Sequence, residues 1–332
     1  MNDMLDVVLT SRVRLARNLQ DLPFPGNMAQ AEIAKLVQRV NKAINTNNSF
    51  LLLCMQELPE AERHLLVERH LVSPDLAGCA KGAALINKDE SISILIGEED
   101  HLRIRCLLPG LQLEQADSLC ASIDDMLCKK MQFAFESELG YLTACPTNLG
   151  TGMRASVMLH LPALSLAGQT EGLLAAISKL GYAVRGLYGE GSGTHGHIFQ
   201  VSNQMTLGVL EEDIISNLNT IALRIIERER SIRSSLYKTN KLEIEDIVYR
   251  SKGVLQYARK LNAKEAMEHI SNLKLGAGLG LTSGLDTQKL LNRLLTDVQC
   301  ASIRKRSGLE LSEAQCDEAR ANIVREALKG TI

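Results

Sequence analysis

The sequence predicts a unit of mixed strands and helices, α/β or α+β, followed by a unit built from helices alone. Over the first two thirds of the chain, period-two runs alternate with amphipathic helical patterns, and after Leu207 the strand signal stops. Composition agrees: 332 residues, 45% hydrophobic and 23% charged, hold enough apolar mass for one large or two ordinary domains.

Residues 6–17 end in a basic, β-branched run, and 29–44 space Ile33, Leu36, Val37, Val40 and Ile44 along one helical face. Residues 50–54 read as a buried strand and 59–70 as a helix. The period then falls to two, because 83–87, 91–96 and 101–107 are joined by connections too short for helical crossovers, which predicts an antiparallel meander. Residues 111–130 read as a helix, 141–144 and 154–160 as extended, and 162–180 as a helix with Pro162 at its start. Strands at 182–187 and 197–204 flank a glycine-rich loop. Helical periodicity covers 210–237, 244–261, 263–273, 286–295 and 311–328, with 276–280 reading as an interhelical loop. The boundary is expected within or just after the charged helix around 227–233, giving domains 1–230 and 231–332.

The 37 basic and 39 acidic side chains leave a net charge of -2, without the cationic excess of a phosphate-backbone binder, so nucleic acid is excluded as a partner. The apolar runs 50–55 and 107–113 fall far short of the roughly 20 residues that cross a bilayer, and no signal peptide precedes them. A cytoplasmic chain without a membrane partner is expected. Cys54, Cys79, Cys106, Cys120, Cys128, Cys145, Cys300 and Cys316 include no C-x-x-C pair, which predicts reduced thiols and no metal site.

Arginines recur near strand ends: Arg12 and Arg14, Arg103 and Arg105, Arg154, and Arg185. Residues two apart in a strand share a face, and guanidinium forks match phosphate oxygens. Glu98-Glu99-Asp100-His101 ends a strand in a turn where a carboxylate can orient or deprotonate a nucleophile. Glu190 lies in the glycine-rich loop. Gly191-x-Gly193-x-x-Gly196 matches a dinucleotide fingerprint in form only, since an extended run follows it rather than a helix. Cys145 opens a polar, glycine-bearing turn where backbone amides and Arg154 can favour a thiolate.

Together, Cys-Pro-Thr-Asn-Leu-Gly-Thr-Gly (145–152), Glu-Glu-Asp-His-Leu-Arg (98–103) and Arg-Gly-Leu-Tyr-Gly-Glu (185–190) resemble the phosphagen (guanidino) kinase family, most closely its bacterial protein-arginine kinase branch of the McsB type. The resemblance to the catalytic domain runs from about residue 6 to 229, and the helical remainder is similar to that branch as well. It implies an α+β fold, with an antiparallel sheet flanked by helices and then an all-helical C-terminal domain. It also implies ATP with Mg²⁺ on that sheet, against Ser11, Arg12, Arg14, His70, Arg103, Arg154, Ala155, Ser156, Val157, Met158, Arg185, Gly186, Leu187, Tyr188 and Gly189. Glu99 matches the acid that holds and activates the attacking guanidinium nitrogen, Glu190 a second carboxylate, and Cys145 the thiolate beside the guanidino group. The implied reaction carries the γ-phosphoryl group of ATP to a protein arginine, forming a P–N bond.

The C-terminal part is similar to a phosphoarginine-binding, dimer-forming module. Its pocket motif, Arg-Asp-x-x-Arg-Ala, reads here Cys316-Asp317-Glu318-Ala319-Arg320-Ala321, so Asp317, Arg320 and Ala321 are the implied allosteric residues, with a cysteine in place of the first arginine. Implied partners are proteins with exposed arginine, a zinc-binding activator protein, a Clp-type chaperone and protease, a stress repressor, and a second copy of the chain. Two other readings stay open: a phosphoarginine-reading scaffold with weakened turnover, and a free-arginine kinase. The first is prompted by Gly97 and Gly193 where the family has Asn and Glu. The second is disfavoured because the chain begins a few residues before Ser11, without the amino-terminal helical domain that covers a small substrate.

Overall fold

The structure, a computed structural model, describes residues 4–45, 48–79, 81–186, 195–282 and 285–329. Its centre is an antiparallel sheet of eight strands: β1 (Val8–Arg17), β2 (Phe50–Cys54), β3 (Ala83–Asn87), β4 (Ile92–Ile96), β5 (Leu102–Pro109), β8 (Met153–His160), β9 (Tyr182–Gly186) and β10 (Ile198–Asn203). Across the sheet they run β2-β3-β4-β5-β1-β8-β10-β9, so the expected meander β3-β4-β5 forms one half. A small hairpin, β6 (Phe135–Glu136) and β7 (Gly140–Tyr141), stands apart from it.

The helices interleaved with these strands are α1 (Gln30–Ile44), α2 (Glu60–Glu68), α3 (Pro74–Gly78), α4 (Leu113–Cys128), α5 (Pro162–Leu166) and α6 (Thr170–Lys179). Then come α7 (Glu211–Thr239), α8 (Lys241–Tyr257), α9 (Ala263–Gly278), α10 (Leu285–Asp297), α11 (Cys300–Ser307) and α12 (Glu313–Leu328).

Strand alternation decides the layering. On one face Val13, Leu15, Ile104, Cys106, Ala155 and Val157 are fully buried against apolar residues of α1, α4 and α7. On the other face α2 and α3 cover only the β3–β4 end, where Ala84, Ile86 and Leu95 join Leu71, Val72 and Leu76 in a smaller cluster. The middle of that face carries arginines instead. The helical unit packs against its far border, for Leu9 of β1 and Ile198 of β10 belong to the core formed by α8, α9, α10 and α12.

Several expected boundaries move for identifiable reasons. The helix expected over 162–180 is two, α5 and α6, separated at Gly168, whose φ of +67° ends the first. Of 141–144 only Tyr141 is in a strand, because the chain turns back there through Gly140 and Gly150. The helix α11 had no counterpart among the expected elements. Gly276, expected in a loop, lies inside α9, and a Cβ there would stand 2.4 Å from Val248 Cγ1, so the glycine is needed for close approach to α8. The charged stretch 227–233, within or just after which the division is expected, lies inside α7, whose Arg230 and Arg233 pair with Asp6 ahead of β1 at 2.6 and 3.2 Å.

Candidate active site

Register brings the arginines together. Arg14 in the central strand β1 lies opposite Arg105 of β5 on one side and Arg154 of β8 on the other. Arg12 lies opposite Ser156, and Arg103 opposite Ala16, one alternation further along. Ser156 faces Ser202 of β10, and Gln200 pairs Met158 with Arg185 of the edge strand β9, so all of these side chains share one face. Arg12 Nε donates to Ser156 Oγ at 3.3 Å and Arg154 Nη2 to Ser202 Oγ at 3.4 Å.

These guanidinium groups are poorly hydrated and close to one another, which disfavours their protonated form. Burial first, then Arg154 and Arg103, pushes Arg12 down to about 10. Arg14 is pushed down to about 9 by burial and by Arg103, Arg12 and Arg154, and Arg105 to about 9 by burial and by Arg12, Arg14 and Arg103. They remain cationic at neutral pH, so the face stores repulsion that a polyanion would relieve. Buried donors Arg14 Nε, Arg103 Nε and Arg105 Nη1 have no hydrogen-bond partner among the described residues, which fits phosphate oxygens arriving there.

His70 closes the α2 end of this basin. It follows α2 at a φ of +58°, where its N–H donates to Val67 O, in the left-handed position a glycine usually takes at a helix C-terminus. Burial, Arg12 and Arg105 push its imidazole down to about 4, so it is neutral at pH 7 and adds no charge to the cluster. Beside it a cavity of about 540 Å³ extends between Thr10 and Met158 on the sheet and Leu295 and Gln299 of the helical unit.

The acidic turn after β4 sits at the rim. Glu98 and Glu99 both pair with Arg103, the Glu99 contact at 2.7 Å, and the Glu99 side chain keeps 46% of its surface in solvent. Asp100 is buried and ties the turn to the cysteine loop: its Oδ1 accepts from Ala144 N at 2.8 Å and from Asn18 Nδ2 at 2.7 Å. Asn18 Oδ1 accepts from His101 N, and His101 Nδ1 accepts from Leu19 N, so neighbouring loops hold the turn from both sides. Gly97 takes a φ of +74° against Ile33, a backbone state that suits glycine.

Cys145 is half-buried, its Sγ 3.0 Å from Thr147 Oγ1, and the nearby Arg154 guanidinium is pushed down by burial first and then by Arg185 and Arg103. The turn after it is strapped by Thr206, whose Oγ1 lies within bonding distance of Thr147 O and Leu149 O. Gly150 at a φ of +103° lets the two backbones meet there.

Not every expected residue joins this group. The side chains of Ser11, Ala155 and Val157 point to the opposite layer, a direct result of strand alternation: Ser11 Oγ donates to Gly110 O at 2.8 Å, and the other two are in the core. Leu187, Tyr188, Gly189 and Glu190 lie outside the described residues, and Gly186 ends β9 beside them. Arg320 is 2% exposed and donates to Val298 O, Leu261 O and Asp317 Oδ1, while Ala321 is buried, so these side chains are engaged within the helical core. Cys316, in the position of the motif's first arginine, meets Cys300 Sγ at 3.0 Å. Arg105 is not among the residues expected to hold the nucleotide, and neither Asp100 nor Asn18 is expected to position the turn. For Arg105 the signal was present, since it is two residues from Arg103.

An eight-stranded antiparallel sheet with a guanidinium-lined face, a carboxylate turn and a thiol at its rim defines a phosphotransferase architecture. Residues 32–232 match the description "ATP:guanido phosphotransferase, C-terminal catalytic domain", and residues 241–331 match "Protein-arginine kinase McsB C-terminal domain". The solved structure of lombricine kinase shares the fold, with a TM-score of 0.60 at 22% identity over 70% of this chain and 68% of that one. A protein-arginine kinase of Moorella thermoacetica is 47% identical, covering 98% of this chain and 95% of that protein. The Bacillus subtilis protein-arginine kinase is 43% identical, covering 97% and 90%. The chain belongs to the protein-arginine kinase family.

Proposed function

We propose that the protein transfers the γ-phosphoryl group of ATP to arginine side chains of other proteins. In this step the bond between Pγ and the β–γ bridging oxygen breaks, a bond from a guanidinium nitrogen to Pγ forms, ADP leaves, and one guanidinium proton passes to a carboxylate. The observation that carries the reading is the register that sets Arg14 between Arg105 and Arg154, with Glu99 at the rim of the same face.

Each group then has a task. Arg12, Arg14, Arg103, Arg105, Arg154 and Arg185 hold the polyphosphate and draw charge from the transferring group. The cavity beside His70 and Met158 takes the nucleoside. Guanidinium is a poor nucleophile because it stays protonated, so Glu99 fixes its plane and accepts the released proton, assisted by Glu190 and the Cys145 thiolate. Arg14, Arg103 and Arg105, whose donors are unpaired, would hold the phosphates that carry Mg²⁺, and the ion would supply Lewis-acid charge to the transferring group.

The acceptor is the arginine of a protein, the phosphorylated product serving a Clp-type protease or the release of a stress repressor. A zinc-binding activator, a homodimer and a cytoplasmic setting complete the proposal. No described helix is long and apolar enough to cross a membrane. The test incubates the protein with Mg-ATP and either an arginine-rich unfolded protein or free arginine, with mass spectrometry under non-acidic conditions. Phosphoarginine on the protein alone is expected. Product on the free amino acid alone would overturn the acceptor, and no product in either case would leave a nucleotide-binding scaffold.

A further inference from the structure

Large apolar side chains stand in solvent on two segments that meet beside the cysteine loop. Phe135 is 60% exposed and Leu210 67%, and Leu139, Met205 and Leu207 are also exposed. Apolar side chains scattered singly over a surface need no explanation, but a contiguous group does. Of the exposed side chains, Phe135, Leu207 and Leu210 line a groove of about 620 Å³, with Gly140 and Gly150, whose backbones meet closely, also in its wall. The edge of Phe135 packs on Tyr141, ring centroids 5.3 Å apart, so its exposed ring is held rather than swinging free.

Two features connect this groove to the site. The first is covalent: Gly150 lines the groove five residues after Cys145, a reach of at most roughly 17 Å along the chain, and the Thr206 hydroxyl clamps the turn between them. The second is charge: Glu138, Glu211 and Glu212 line the groove, and although the buried Arg17 pairs with Glu211 at 3.6 Å, it is shared with Asp124 at 2.8 Å and leaves Glu138 and Glu212 in excess. An apolar trough lined by carboxylates, with Gly150 of the cysteine loop in its wall, is complementary to an extended polypeptide that is apolar and basic.

We propose that this groove holds the stretch of protein substrate next to the acceptor arginine, so that the enzyme selects arginines with a large apolar residue about four to six positions away. The proposal rests on the reading of the chain as a kinase for protein arginine. An extended segment advances about 3.3 Å per residue, so four to six residues span roughly 13–20 Å, comparable with the chain reach from Gly150 to Cys145. Apolar contact supplies affinity, and the carboxylates favour basic neighbours and steer them in.

The experiment compares two peptides carrying one arginine among Gly and Ser, one of them with Leu or Phe five residues to either side. Affinity is read by isothermal titration and turnover by phosphoarginine formation, for the full chain and for the separate variants Phe135→Ser and Leu210→Ser. The wild type is expected to bind the apolar-flanked peptide at least about fivefold more tightly and to show the same preference in KM. Each variant brings that ratio close to one. Equal affinity for the two peptides in the wild type, or a preference untouched in both variants, would overturn the groove. A fall in particle mass by light scattering in the variants, with peptide preference unchanged, would overturn it in favour of an interface between copies. Selective binding lost in the variants, without phosphoarginine from the wild type, would uphold the groove and sink the kinase reading.

Discussion

His70 shows how a single side chain can be held against its own backbone preference. The left-handed conformation costs a non-glycine residue about 1–2 kcal/mol, and here that cost holds a neutral imidazole against Arg12 and Arg105. His70→Gly is therefore expected to raise stability by about 1 kcal/mol while raising KM for ATP about tenfold, read by thermal unfolding and steady-state kinetics. A variant that loses stability and keeps its KM would contradict the assignment. At this scale the sequence was readable where spacing decides placement: Arg12 and Arg14 share a face, and Glu99 lies within pairing distance of Arg103. It was silent where geometry decides: nothing in the order of residues says that Asp100 turns inward to Ala144 or that Arg320 is engaged by two carbonyl groups.

Elements were legible through periodicity, and periodicity also sets which expected side chains face away from the arginines. Alternation along β1 and β8 sends Arg12, Arg14, Arg154 and Ser156 to one face and Val13, Ala155 and Val157 to the other. Glycine was harder to read. In sequence Gly276 looks like punctuation, but it lies at a helix crossing, where a methyl group would meet Val248 at 2.4 Å. Gly276→Ala is expected to cost about 1–3 kcal/mol through overpacking, despite the better helix propensity of alanine. A more stable variant in chemical denaturation would place 276 in a loop after all.

For the whole molecule, the contacts between the sheet unit and the helical unit lie beyond pattern reading, because residues far apart in sequence make them. Glu68 at the end of α2 accepts from the N–H groups of Ala301 and Ser302 at 2.8 Å, joining the first turn of α11 to the element that presents His70. Lys274 of α9 is fully buried and donates to Leu5 O, Gln288 Oε1 and Asn292 Oδ1, and burial first, then Arg233, pushes its ammonium down to about 7. In the unfolded chain a lysine titrates near 10.4, so between pH 7 and 10 the unfolded state holds more protons and stability rises with pH. Between pH 7.5 and 9 the wild type is expected to gain about 1–2 kcal/mol relative to Lys274→Met, measured by denaturant unfolding. A constant difference between the two across that range would show that Lys274 is not desolvated in the folded protein.

In the proposed mechanism the arginine face binds the nucleotide, and the carboxylate at its rim makes the acceptor reactive. Glu99→Gln separates the two most directly, with Mg-ATP affinity from titration set beside the rate of phosphoarginine formation. Affinity within about twofold of the wild type is expected, with turnover lower by about 10²–10⁴-fold, the range for loss of a positioned general base. Turnover within about tenfold of the wild type, at unchanged affinity, would contradict that mechanism.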